Sequence, residues 1–254
     1  MNTLTRRHTL AIAISTALAS LSSQAYAQGP TTFKPIKEGA DYRVLKSRVA
    51  GAADTKKIEV IEFFWYGCPH CNSLDPSLIE WLKKAPADVS FKRVHINFDA
   101  EGAPVKRTDT HQRLFIALET LGIIDKMTPK VFTAIHGDKK SLNSRDAVME
   151  WAAGAGIDLP KFTAVYDDAF SMSRKMKSAA QLQDNYKVDS VPYFGIDGQY
   201  ITSPSIAGGS LDNFYATLNA VIDKARQERT PVKTAEAAKK PEVKKVVKKP
   251  EAKP

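Results

Sequence analysis

The sequence predicts an α/β sheet domain interrupted by an all-helical block, on three observations. A β-branched and aromatic run, Lys57 to Trp65 (KIEVIEFFW), hands over directly to apolar residues at helical spacing. From about Asp99 to Met172 only helical stripes appear, separated by Gly or Pro breaks. Short strand-like runs then return around Asp197-Gly198 and lead into one long amphipathic segment. Strands that alternate with helices, then a run of helices alone, define this class.

Each element follows in chain order. Lys57 to Trp65 reads as a strand buried on both faces, because its apolar residues run almost without interruption. The turn Tyr66-Gly67 follows. Leu74, Leu78, Trp81 and Leu82 recur at helical spacing, and Pro76 is expected to kink that helix in its first turns. Val89 to Phe98 alternates as a second strand. Helices are expected at Arg113–Leu121, Lys130–His136, Arg145–Ala153 and Leu159–Phe170, then at Arg174–Tyr186. Two short strands flank Asp197-Gly198, a strong hairpin turn, and Leu211 to Gln227 closes the domain as a helix.

The two ends differ from this middle. Arg6 and Arg7 precede a short apolar run, Leu10 to Leu21, and then Ala25-Tyr26-Ala27. A basic start, an apolar stretch and a small-x-small site read as a secretory signal peptide over 1–27, cleaved after Ala27. The paired arginines also resemble, loosely, a twin-arginine signal, and the sequence leaves the export route open. From Pro231 to Pro254 the chain is almost wholly Lys, Pro, Ala, Val and Glu, without an aromatic residue. Such a segment cannot bury enough apolar surface to fold alone, so it reads as a disordered tail. The tail's eight Lys against three Glu, with the two leader arginines, leave only +2 of the +9 formal charge to residues 28–230. The basic pI therefore belongs to the ends and does not mark a nucleic-acid-binding domain. The tail is expected to be a solvated spacer; the alternative is contact with an anionic envelope surface.

Only two cysteines are present, Cys68 and Cys71, with Pro69 and His70 between them. A disulfide that closes so short a loop removes little unfolded-chain entropy, so structural reinforcement explains it poorly. Redox chemistry and metal binding remain. The pair lies where a strand gives way to a helix, so Cys68 faces unpaired N–H groups and the positive end of the helix dipole. Pro69 at an early helical position loses no needed hydrogen bond, and His70 can add an imidazolium or a donor. Each feature stabilises a Cys68 thiolate and hence the reduced pair, which makes the disulfide an oxidant. Cys71, one turn further in, should be more buried and less acidic. A structural zinc site needs four ligands, and His95, His111 and His136 are scattered along the chain, so no metal is expected. A copper-carrying thiol site is the rival from a different class.

Glu62-Phe63-Phe64 before Cys68-Pro69-His70-Cys71, with Val191-Pro192 and the helical block, resembles the periplasmic DsbA thiol oxidases of Gram-negative bacteria over about residues 35–227. The resemblance implies a thioredoxin-like fold with an inserted all-helical domain: residues 28–98 and 173–230 as the thioredoxin part, 99–172 as the insertion. It implies that Cys68 is the exposed nucleophile, Cys71 its buried partner, and Pro69 and His70 the tuning dipeptide. Val191 and Pro192 fall where the family has a cis-proline loop that presents backbone to substrate. Glu62, costly in an apolar strand, matches the family's buried acid near the second cysteine. Arg93, on the strand face shared with Phe91 and His95, could balance it; family members often carry Lys there. A structural Glu62–Arg93 salt bridge with no catalytic part is the alternative. Gly67 is a further departure, expected to loosen the turn or widen a substrate groove.

The implied activity is thiol:disulfide exchange that introduces disulfides into newly exported proteins in the periplasm, by a monomer with no cofactor. The implied partners are reduced exported proteins and a quinone-linked membrane oxidase of the DsbB type. An isomerase or reductant is the alternative within redox enzymes. Too few residues precede the first buried strand for a dimerisation domain, and Val191 stands where isomerase-type members favour Thr.

Overall fold

The computed structural model describes residues 35–50, 56–99 and 107–229; the expected signal peptide and the basic tail lie outside them. A five-stranded sheet runs in the order β1-β5-β4-β2-β3, formed by β1 (Arg43–Val44), β2 (Ile58–Phe64), β3 (Val89–His95), β4 (Tyr193–Ile196) and β5 (Tyr200–Thr202). β2 pairs parallel with β3 and antiparallel with β4; the remaining pairs are antiparallel. The parallel pair is joined through α1 (Pro69–Leu82), the crossover that parallel strands require.

β2 reads as a buried run because both of its faces are covered. Ile58 and Val60 join Phe194, Ile196, Leu74 and Leu78 beneath α1 and α7 (Leu211–Arg229). Ile61 and Phe63 join Tyr186, Tyr193 and Val94 on the other face, against α6 (Ala169–Asn185). The β4–β5 hairpin forms at the expected place: Asp197 and Gly198 both take positive φ, at 55° and 67°, and Gln199 N–H closes the turn onto Ile196 O.

Between β3 and β4 the only regular elements among the described residues are helices. The chain runs through α2 (Arg107–Thr120), α3 (Ile124–Phe132), a π-helical turn over Thr133–Gly137, α4 (Arg145–Gly154), α5 (Leu159–Tyr166) and α6. Their apolar faces form one core with Phe64, Tyr66 and both cysteines, so the helical block packs directly on the Cys68 region.

Several expected bounds shift. The helix expected over Leu159–Phe170 is two, because Asp168 caps a new one: its carboxylate accepts Ser171 N–H at 3.1 Å. The following helix therefore begins at Ala169 rather than Arg174, and α6 crosses the expected domain limit at residue 172. β3 ends at His95, three residues early, and the two-residue β1 carries no periodic signal. α1 continues through Pro76 to Leu82 as one element.

Candidate active site

Cys68 occupies the N-cap of α1 with extended backbone (φ −81°, ψ 119°), and Pro69 follows as the first helical residue. No acidic side chain stands in the first turn to compete for its N–H groups. The arrangement holds the Cys68 thiol down, to a pKa of about 6. The largest cause is a hydrogen bond from the Cys71 thiol; N–H groups of Cys71 and His70 and the charge of His70 add to it, against burial. Cys71 goes the opposite way. It is fully buried, and desolvation first, then its bond to Cys68, push its thiol well above the ordinary value. Both sulfurs are thiols here.

Cys68 was matched to an exposed nucleophile, yet it is only 6% exposed. Its Sγ lies 3.5 Å from the carbonyl oxygen of Val191. The Val191–Pro192 peptide bond is cis, and it precedes β4 directly, so the end of the sheet beside β2 brings this carbonyl to the thiol. Cys68, Pro69, His70, Cys71, Val191 and Pro192 thus meet at one end of the sheet.

Glu62 and Arg93 are register partners on β2 and β3, and Arg93 Nε donates to Glu62 Oε2 at 2.7 Å. The same guanidinium donates through Nη2 to Asp75 Oδ1 at 2.6 Å, so the pair is a trio. It lies over the rings of Phe64 and Phe91. Burial raises the Glu62 pKa against the pull of Arg93. For Arg93, burial works downward, but Glu62 and Asp75 outweigh it and raise its pKa. Asp75 was missed by the sequence reading. Its signal was a carboxylate one residue after Leu74 and three before Leu78, on the face of α1 that enters the core.

One further expectation is corrected. Gly67 does not widen a groove: a Cβ there would stand 2.3 Å from Cζ2 of Trp65, because the indole lies over it. His95, His111 and His136, scattered in sequence, gather behind the turn that enters Cys68. Among the described residues no group of three or more His, Cys, Asp or Glu side chains could hold a metal ion.

A dithiol at a strand-to-helix junction, faced by a cis-proline loop and backed by a buried acid, defines the class of thioredoxin-fold thiol proteins. Residues 59–215 match the family described as DSBA-like thioredoxin domain. The chain belongs to this family. The Thiol:disulfide interchange protein DsbA of Burkholderia cepacia is 38% identical over 192 residues, covering 76% of this chain and 87% of that protein. The protein of the same name from Bordetella parapertussis is 38% identical over 211 residues, covering 82% and 95%. Among solved structures, Pseudomonas aeruginosa DsbA superposes with a TM-score of 0.67 at 33% identity, over 76% of this chain and 96% of that one.

Proposed function

We propose that this protein is a dithiol oxidase that donates a Cys68–Cys71 disulfide to reduced proteins. The observation that carries the reading is the asymmetry of the two sulfurs: Cys68 at the mouth of α1 with a thiol held near 6, Cys71 buried and held well above its ordinary value. A substrate thiolate attacks Cys68 Sγ, the Cys68–Cys71 bond breaks, and a mixed disulfide forms. Cys71 leaves with the electron pair and takes up a proton; Glu62, whose pKa is raised, is the proposed donor, with Arg93 as its fixed counter-charge. A second substrate thiolate attacks the substrate sulfur of the mixed disulfide, and Cys68 departs as a stable thiolate. The substrate is oxidised by two electrons and the enzyme reduced by two. A low leaving-group pKa speeds the last step.

Val191 and Pro192 would present backbone to an extended substrate, next to the sulfur that reacts. Pro69 and His70 would set the Cys68 thiolate. The proposed domain plan keeps residues 28–98 and 173–230 as the thioredoxin part and 99–172 as the insertion, with α6 spanning the later limit. The signal-like residues 1–27 support action in the periplasm on newly exported proteins. Membership of this family, not the leader, supports reoxidation by a quinone-linked membrane oxidase of the DsbB type. No helix among the described residues is long and apolar enough to cross a membrane.

The test mixes oxidised protein with a reduced, unfolded substrate in equal amounts and traps thiols over time. One substrate disulfide should appear for each protein disulfide lost, and Cys71→Ala should accumulate the Cys68 mixed disulfide once its thiol is activated. Wild-type disulfide that persists beside reduced substrate would reject the reading.

A further inference from the structure

Trp65, Tyr66 and Gly67 form the turn that delivers the chain to Cys68, closed by Cys68 N–H donating to Trp65 O at 3.0 Å. Three imidazoles hold the polar groups of this turn. Tyr66 N–H donates to Nε2 of His95 at 3.2 Å, and His136 Nε2 donates to the Tyr66 carbonyl at 2.8 Å. The Trp65 indole N–H donates to Nδ1 of His111 at 3.0 Å. The partners fix two of the tautomers. Nδ1 of His95 stands 2.9 Å from Ile96 O, and Nε2 of His111 stands 2.9 Å from Ser141 O, so each ring donates on one side and accepts on the other. The histidines come from β3, α2 and the π-helical turn, so two of the three belong to the helical block. Gly67 completes the arrangement, since only a residue without Cβ lets the indole lie over it and reach His111.

We propose that His95, His111 and His136 are positioning residues for thiol exchange: they pin the Trp65–Gly67 turn between β3 and the helical block, and so hold Cys68 Sγ over the first turn of α1. The inference rests on Cys68 being the exchanging thiol. The Cys68 thiolate draws its stability from the Cys71 thiol and the N–H groups of Cys71 and His70 at close range, and such bonds weaken steeply with misalignment. In the disulfide, by contrast, the bond to Cys71 holds the Cys68 sulfur whatever the turn does. Loosening the turn therefore penalises the reduced form more than the oxidised form and makes the protein a weaker oxidant. Histidines that only satisfied buried polar groups would stabilise both forms alike.

The redox equilibrium separates these cases, because it reports the difference in stability between the two forms. The experiment uses full-length His136→Ala and His136→Gln, equilibrated in glutathione buffers with thiol trapping, and a thiolate absorbance titration of Cys68. His136→Ala should raise the Cys68 pKa and shift the equilibrium toward the protein disulfide by at least about threefold, the scale of one lost hydrogen bond. His136→Gln should restore both readings, since its side-chain N–H can donate where the imidazole did. Trp65→Phe, which leaves all three histidines in place but removes the indole N–H together with the indole ring that lies over Gly67, should shift the equilibrium in the same direction and decides the matter if His136→Ala does not fold. Melting temperatures of both redox forms that fall together, with the equilibrium unchanged, would overturn the proposal, as would His136→Gln behaving like His136→Ala. A wild-type protein that fails to oxidise glutathione would instead overturn the functional reading itself.

Discussion

At the scale of single residues, the chemistry turns on what surrounds each sulfur. Cys68 and Cys71 are the same side chain one helical turn apart, yet their thiols are driven in opposite directions. The cause is position: Cys68, at the N-cap of α1, receives the hydrogen bond of the Cys71 thiol first and then the N–H groups of Cys71 and His70, while Cys71 lies inside the core. A pH dependence follows. Between about pH 6 and the ordinary thiol range near 8.5, reduced Cys68 is a thiolate, so reducing the disulfide with glutathione releases one proton. The sign is fixed by the lowered pKa: the stability this thiolate lends the reduced form is complete above the unfolded value and is lost as pH falls toward 6. The equilibrium with glutathione should therefore move about tenfold per pH unit across that window and flatten below about 6. A titration of the equilibrium constant from pH 5 to 8 checks it, and a flat profile would show an ordinary thiol.

At the scale of elements, the trio Glu62–Arg93–Asp75 ties β2, β3 and α1 together around one guanidinium. Breaking a buried ionic cluster at its centre leaves uncompensated charge, whereas removing one acid leaves a pair. Arg93→Met should thus cost about 3–5 kcal/mol in denaturant unfolding, and Glu62→Gln clearly less. Equal losses would mean that the trio is not one unit. How legible these elements were depended on how local their causes are. The buried strand, the redox turn and the Asp197-Gly198 hairpin are written in neighbouring residues, and so was the Glu62–Arg93 pairing once two strands were laid side by side. The break between α5 and α6 was also local, but the apolar stripe ran past the cap at Asp168 and hid it. The histidines were another matter. Each looks like an ordinary isolated residue, because its partner lies 29, 46 or 70 positions away; the β2–β3 pairing brings in the first, and the packing of the helical block the other two. Trp65 lying over Gly67 had no sequence signal, since a glycine before a cysteine reads equally as a loose turn or as a close approach.

For the whole molecule, the helical block and the sheet share the core that contains Phe64, Tyr66 and the cysteines, so the site is held by both parts. One consequence concerns acid. His95 is buried and neutral, its pKa held well below the ordinary value by burial first and then by His111. Below about pH 6.5 the unfolded chain binds a proton that folded His95 refuses, so native stability falls as pH falls. His95→Gln should flatten the pH dependence of unfolding free energy as pH falls below about 6.5, by up to about 1.4 kcal/mol per unit. An unchanged slope would place the acid sensitivity elsewhere. The central claim, that the fold makes its disulfide an oxidant, is tested most directly by equilibrating the purified protein with glutathione at pH 7 and trapping its thiols. The account predicts that glutathione reduces the protein disulfide readily, leaving Cys68 and Cys71 reduced even where glutathione disulfide is in excess, and that Cys68→Ser abolishes exchange. A protein disulfide that persists in reduced glutathione, as in a thioredoxin-like reductant, would contradict it.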